Sequence, residues 1–221
     1  MTGVTIIGPV PAMLDLDAFR RTPLKREPYP YLVVKDFIAR DQFDAVLADF
    51  PPIRHPGSIP VSEAPGGPRF QALLAELEGD AFRQAISEKF AVALEGCPVM
   101  TTVRGVVRAK DGRIHTDSRT KVITVLLYLN PEWADAGGHL RVLRNDHDLD
   151  DYVEEIPPTA GTLMVFQVTD NCWHGHKSVV GKRLSLQMNY VTGKAAKGRH
   201  QLMHRLSART KALLGRSASR H

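Results

Sequence analysis

The chain has 221 residues, 43% of them apolar, which suits one domain with extensions and supplies enough apolar side chains for a sizeable core. Its longest apolar run, Val122 to Leu129 broken only by Thr124, is strand-length and excludes a membrane span there. The net charge of +5 is unevenly divided: residues 194–221 hold eight Lys and Arg with no Asp or Glu, so this tail carries +8, the rest carries −3, and a basic nucleic-acid-binding body is excluded.

Residues 28–38 predict a strand leading into a helix from about Arg40 to Asp49, with Asp41 as its cap and Pro51 and Pro52 ending it. Residues 51–69, rich in Pro, Gly and Ser, predict a mobile surface loop where substrate preference is expected to reside. Phe70, Leu73, Leu74 and Leu77, then Phe82, Ile86, Phe90 and Leu94, recur at helical spacing over 69–95, with Gly79 dividing the stretch in two. After residue 99 the pattern changes to short stretches rich in Val, Leu, Ile and Thr, at 100–109, 121–130, 138–144, 161–168, 173–180 and 183–191. Turn residues separate them, which predicts a mainly β, double-sheet core over about 99–191 with helices on one outer face.

The acidic run from Asp146 to Glu155 lacks the spacing of a Ca2+ loop and predicts a solvated loop and short helix, able to neutralise the tail. Residues 199–214 predict a C-terminal helix with Leu202, Leu206, Leu213 and Leu214 on one side; packing on the core is the default, and contact with a partner or an anionic surface is the alternative. The expected organisation is one domain over 1–193 followed by the basic tail, 194–221. Cys97 and Cys172 make no disulfide framework and no basic n-region precedes Arg20, so a cytoplasmic protein without a transmembrane segment is expected.

The chemistry-bearing pattern is His115-x-Asp117, then His174, then Arg183 nine residues on. Two imidazoles and a carboxylate are the donor set that holds non-haem Fe(II) on one face and leaves positions open. His115 and Asp117 lie in a polar turn and, two residues apart in extended chain, face the same way. His176 shares the parity of His174 and competes with it as third ligand; spacing to Arg183 and the preceding Trp173 favour His174. Arg183, Ser185, Gln187 and Asn189 alternate with Leu184, Leu186, Met188 and Tyr190, a strand with one polar and one apolar face. The polar face lines either solvent or a polar pocket. Arg183 offers a planar fork for a carboxylate, and Tyr128, sharing parity with Thr124 and Leu126, offers a phenol beside it.

The run HTD…VITVLLYLNPEW…GGHLRVL…GTLMVFQ…WHGHKSVVGKRLSL resembles the 2-oxoglutarate/Fe(II)-dependent oxygenases, on their prolyl-hydroxylase-like branch. The resemblance covers about residues 99–191, and 28–50 look similar to the family's opening strand and helix. It implies a double-stranded β-helix, a jelly-roll of cupin-like form. It implies Fe(II) on His115, Asp117 and His174, and 2-oxoglutarate with its distal carboxylate on Arg183 and Tyr128, beside Leu126, Leu140 and Ser185. The activity implied is O2-dependent hydroxylation of a C–H bond with release of succinate and CO2. Asp117 argues against the related halogenases, which keep a small residue there. Asn189, six residues after Arg183, argues against the nucleic-acid-demethylating branch, which normally has a second arginine at that place. One departure stands out: residues 104–114 lack the tyrosine often found on that strand and crowd Arg104, Arg108 and Arg113 there, with Arg119 beyond. Arg104, Arg108, Arg119 and His176 are therefore the candidate substrate residues, suited to an anionic small molecule or peptide. The competing reading is a non-catalytic double-stranded β-helix module binding a small anion or sugar.

Overall fold

The computed structural model describes residues 12–193. The basic tail and its expected helix lie outside the described residues. Among the described residues, nine strands form two antiparallel sheets. The larger sheet is built from β1 (Tyr31–Val34), β2 (Ile59–Pro60), β3 (Val99–Val107), β4 (Lys121–Tyr128), β7 (Leu163–Gln167) and β9 (Gly181–Val191), in the spatial order β1-β7-β4-β9-β3-β2. The smaller contains β5 (Leu140–Leu143), β6 (Tyr152–Ile156) and β8 (His174–Gly175), in the order β6-β5-β8. This is a mainly β, jelly-roll arrangement.

Period-two alternation gives the larger sheet two unlike faces. Ile123, Val125 and Leu127 of β4 and Leu184, Leu186, Met188 and Tyr190 of β9 point to one side, where they are buried against the helices. Those helices are α1 (Leu16–Arg21), α2 (Arg40–Ala48), α3 (Pro68–Glu78) and α4 (Asp80–Phe90). All eight apolar residues singled out by helical spacing over 70–94 are buried in that layer. Each such aliphatic or aromatic side chain contributes roughly 1.5–3 kcal/mol when fully buried. Gly79 divides the helical stretch as expected, serving as C-cap of α3 and N-cap of α4. The opposite face of the larger sheet looks at the smaller sheet. Tyr29, Tyr31, Leu140, Val142, Ile156, Met164 and Phe166 close one end of the space between them, and a polar cavity occupies the rest.

Three local expectations are corrected. Asp41 does not cap α2: the N-cap is Ala39, with no side-chain hydrogen bond, and Asp41 is an acid in the first turn. Such an acid still complements the helix dipole, so the sequence signal was right in kind and misplaced in position. Residues 51–69 are not a plain loop. Ile59 and Pro60 pair with Val103 and Thr102 of β3, and Val61–Glu63 form a 3-10 turn. The segment then folds back on Asp49, whose carboxylate accepts the Arg69 N–H and whose carbonyl accepts that of Gly67. A Cβ on Gly67 would fall 2.4 Å from that carboxylate, which is why glycine stands there. Finally, the acidic run is not helical. Its second half is strand β6, and its carboxylates serve local cations: Glu155 and Asp150 take Arg141, Asp151 takes Arg144, and Glu154 takes Lys25. Alternation of Tyr152 and Glu154 with Val153 and Glu155 is too charged to read as a strand, and pairing with the buried Arg141 supplies what apolar burial does not.

Candidate active site

The two histidines are brought together by backbone. His115 and His174 form an isolated antiparallel bridge in which each amide donates to the other's carbonyl at 3.0 Å. Directly opposed residues put their side chains on the same face, and the two imidazole centroids are 4.3 Å apart. Asp117, two residues on, joins them: one donor atom from each of His115, Asp117 and His174 falls within 4.8 Å of the others.

Each ring is also held in the tautomer a metal needs. His115 Nδ1 is 2.8 Å from the Arg113 carbonyl and His174 Nδ1 is 2.8 Å from the Cys172 carbonyl. A carbonyl only accepts, so Nδ1 carries the proton in both rings and Nε2 keeps its lone pair. His174 is buried, and burial, reinforced by His115, lowers its pKa to about 4; it is neutral at pH 7. Asp117 is ionised. Its side chain is buried, which opposes ionisation, but Lys121, His174 and Thr124 together hold its pKa down at about 2. Two imidazoles, each with Nδ1 given to a backbone carbonyl, and one carboxylate, with donor atoms within 4.8 Å of one another, fit a divalent metal of the non-haem iron type.

Lys121 and Thr124 escaped the sequence reading. Lys121 Nζ lies 2.8 Å from Asp117 Oδ1, with both side chains 8% exposed, and Thr124 Oγ1 bridges Asp117 and Asn189. The hidden signal is the turn closed by the Lys121 N–H on the Ser118 carbonyl, which folds the head of β4 back over Asp117. Asn189 is thus an internal polar residue facing Thr124. Removing one member of a buried ion pair costs about 3–5 kcal/mol. Lys121→Met is therefore expected to destabilise the metal-free protein by that order in chemical denaturation. A divalent ion supplies a replacement counter-charge, so adding one should recover much of the loss; an unchanged deficit would count against Asp117 as a ligand.

His176, the competing third ligand, is turned elsewhere. Its Nδ1 is 2.9 Å from the Lys177 carbonyl, its amide donates to Gly112, and its ring lies against Gly112 so closely that a Cβ there would come within 2.3 Å. Burial and Arg183 lower its pKa to about 4 as well. His174 and His176 are both neutral in the fold yet ordinary, near 6.5, when unfolded. Between about pH 4 and 6.5 the unfolded chain binds more protons, so stability falls as pH drops through that window. The metal-free protein is expected to lose stability from about pH 6.5 downward, and His176→Gln to flatten that slope by about half, in denaturation midpoints measured against pH.

The cavity has a volume of about 230 Å3, and the far end from the triad belongs to Arg183. This arginine is 5% exposed, its Nε donates to the Gly138 carbonyl at 3.0 Å, and its guanidinium lies 4.9 Å from the Tyr128 ring centroid. Its Nη2 is buried without a hydrogen-bond partner among the described residues. A buried cationic donor left unpaired is costly, and a ligand carboxylate in the cavity would satisfy it. Burial pushes the Tyr128 phenol up despite the pull of Arg183, so it stays protonated and can donate to the same group. Ser185 sits opposite Tyr128 in the ladder, and Leu126 and Leu140 supply apolar wall. The polar face of β9 therefore lines the cavity and not solvent.

The expected substrate arginines divide. Arg104 and His176 line the cavity. Arg108 does not: it is drawn to Asp111, three residues on, at 3.2 Å. Arg119 does not either: it is 86% exposed and pairs with Asp170 at 2.9 Å. Sequence proximity to the triad misled in both cases because the chain turns sharply on either side of it. Ser58 and Gly112 also line the cavity without having been singled out, and Gln187 lines it as part of the polar face of β9.

The chain matches the family described as the 2OG-Fe(II) oxygenase superfamily over residues 105–191. No curated protein matches the sequence. Among solved structures, the chain is similar to a Pseudomonas putida prolyl-4-hydroxylase (19% identity, 80% of this chain and 92% of that one, TM-score 0.53). It is similar to a Phytophthora capsici prolyl 4-hydroxylase (15%, 87% and 71%, TM-score 0.57). It is also similar to the viral collagen prolyl hydroxylase of Paramecium Bursaria Chlorella virus-1, solved with 2OG (16%, 73% and 96%, TM-score 0.51). At these identities the likeness is one of fold. The triad, the jelly-roll and the match at 105–191 agree: that segment is similar to the 2OG-Fe(II) oxygenase superfamily, whose enzymes use Fe(II), 2-oxoglutarate and O2, and the chain has a fold similar to that of solved prolyl 4-hydroxylases.

Proposed function

We propose that the protein hydroxylates a C–H bond of a small molecule or peptide, with Fe(II) held by His115, Asp117 and His174 and 2-oxoglutarate held by Arg183, Tyr128 and Ser185 between Leu126 and Leu140. The observation that carries this reading is the paired tautomer control: two backbone carbonyls, each two residues before its histidine, free both Nε2 atoms toward Asp117. A module binding only an anion or sugar would need Arg183 but would have no use for that arrangement. When bound, Fe(II) and 2-oxoglutarate supply the oxidising chemistry, in which O2 is consumed, succinate and CO2 are released and the substrate gains a hydroxyl.

The chain's own residues do the positioning. Arg183 and the Tyr128 phenol fix the distal carboxylate, so the keto acid end is directed toward the triad. Leu126 and Leu140 exclude water from the space between, which strengthens the charge interactions at both ends. Lys121 and Thr124 hold Asp117 in one rotamer, and the two carbonyls hold the imidazoles, so the donor set is pre-organised before an ion arrives. We read residues 1–193 as one catalytic domain with 194–221 appended to it.

The test is spectroscopic. Anaerobic addition of Fe(II) and 2-oxoglutarate should produce a visible charge-transfer band, and admitting O2 should yield succinate. Absence of the band at saturating 2-oxoglutarate would sink the proposal.

A further inference from the structure

One cation of the cavity has no task in this scheme. Arg104 stands on β3, directly across from Ser185, which in turn lies across from Tyr128. Its Nε donates to Ser58 Oγ at 2.8 Å, which ties the side chain to the segment that enters β2. Among the described residues Arg104 forms no ion pair: Asp111, the carboxylate that acts on it most strongly, is taken by Arg108 at 3.2 Å.

Charge makes the case sharper. Among the described residues that line the cavity, Arg104, Lys121 and Arg183 are cations and Asp117 is the one carboxylate, a surplus of two positive charges. Fe(II) and the 2-oxoglutarate dianion cancel each other, so loading the site leaves that surplus in place. A partly enclosed cavity with unbalanced cations attracts a further anion. Arg104 is placed to take it, since a guanidinium presents its terminal N–H pair as a fork for carboxylate or phosphate oxygens. His176 does not compete for the anion, because its one N–H is given to the Lys177 carbonyl and only a lone pair remains.

We propose that Arg104, held by Ser58, recognises an anionic group, a carboxylate or a phosphate, on the molecule to be hydroxylated. This rests on the hydroxylase reading above and names the class of its substrate.

The test titrates inorganic phosphate, and separately acetate, into protein loaded anaerobically with Fe(II) and saturating 2-oxoglutarate, and follows binding by calorimetry. One anion should bind per chain. Arg104→Gln should weaken it about 10- to 100-fold, the loss of a charge-assisted hydrogen bond. Arg104→Lys should keep part of the affinity, and the 2-oxoglutarate dependence of the visible band should be the same in all three proteins. Tighter phosphate binding indicates a phosphorylated substrate and tighter acetate binding a carboxylated one. The proposal is overturned if neither anion binds, or if the Gln variant binds them as well as the parent does, as it would were the anion merely ligating iron. It is overturned equally if Arg104→Gln weakens 2-oxoglutarate instead, which would make Arg104 part of the co-substrate subsite. A parent protein that gives no band defeats the hydroxylase reading alone; the same titration on metal-free protein then decides Arg104 separately.

Discussion

His174→Ala is expected to abolish the visible band and succinate release together, while His176→Ala keeps the band. The two histidines share strand parity, and sequence alone leaves them in competition. The structure separates them by what each Nδ1 does. In His174 it is anchored on Cys172, and Nε2 is left for the site shared with His115 and Asp117. In His176 it is anchored on Lys177, with the ring packed on Gly112. Alanine at 174 leaves two donors, too few for the facial set. The backbone bridge to His115 uses no side-chain atom, so the fold should survive, and circular dichroism with a denaturation curve checks that. A band that persists in His174→Ala, or vanishes in His176→Ala, would reassign the third ligand.

Arg183→Gln should raise the KM for 2-oxoglutarate by roughly 30-fold to several thousand-fold. Truncating one partner of a buried, hydrogen-bonded charge pair costs about 2–5 kcal/mol, and each 1.4 kcal/mol is tenfold. Arg183 is positioned to give the upper part of that range: it is 5% exposed, its Nε is already committed to Gly138, and its Nη2 has no other partner among the described residues. Arg183→Lys should recover only part, because an ammonium keeps the charge but loses the planar fork. The diagnostic control is a 2-oxo acid without the distal carboxylate. For that compound the parent and the Gln variant should behave alike. If Arg183→Gln impairs both co-substrates equally, the arginine is supporting β9 and not holding a carboxylate.

Much of this was legible in the sequence because two periodicities carried it. Alternation along 183–190 separated a cavity face from a helix-facing face, and spacing of three and four over 70–94 marked the covering helices. The triad was legible because His-x-Asp is a local motif and its distant partner lies a fixed step before Arg183. What failed was set by turns and by tertiary charge pairing. No local rule places Lys121 over Asp117, since that requires the turn from Ser118, nor turns Arg119 outward to Asp170. Strand β6 was hidden because its glutamates are neutralised by Arg141 and Lys25, residues far from it along the chain. Residues 51–69 read as a loop from their Pro and Gly content, yet the edge of β3 recruits Ile59 and Pro60 and brings Ser58 to Arg104.

Strand β8 is only two residues long, and its neighbours are Arg141 and Val142 on one side and the bridge to His115 on the other. So short a ladder has little resistance of its own to transient opening. Opening it carries His174 away from His115 and Asp117, so a bound ion raises the cost of that fluctuation by an amount that grows with the ion's concentration relative to its Kd. The rate at which the protein releases its metal and the rate at which β8 peels from the smaller sheet are then two measurements of one event, and amide exchange at His174 becomes a clock for metal residence.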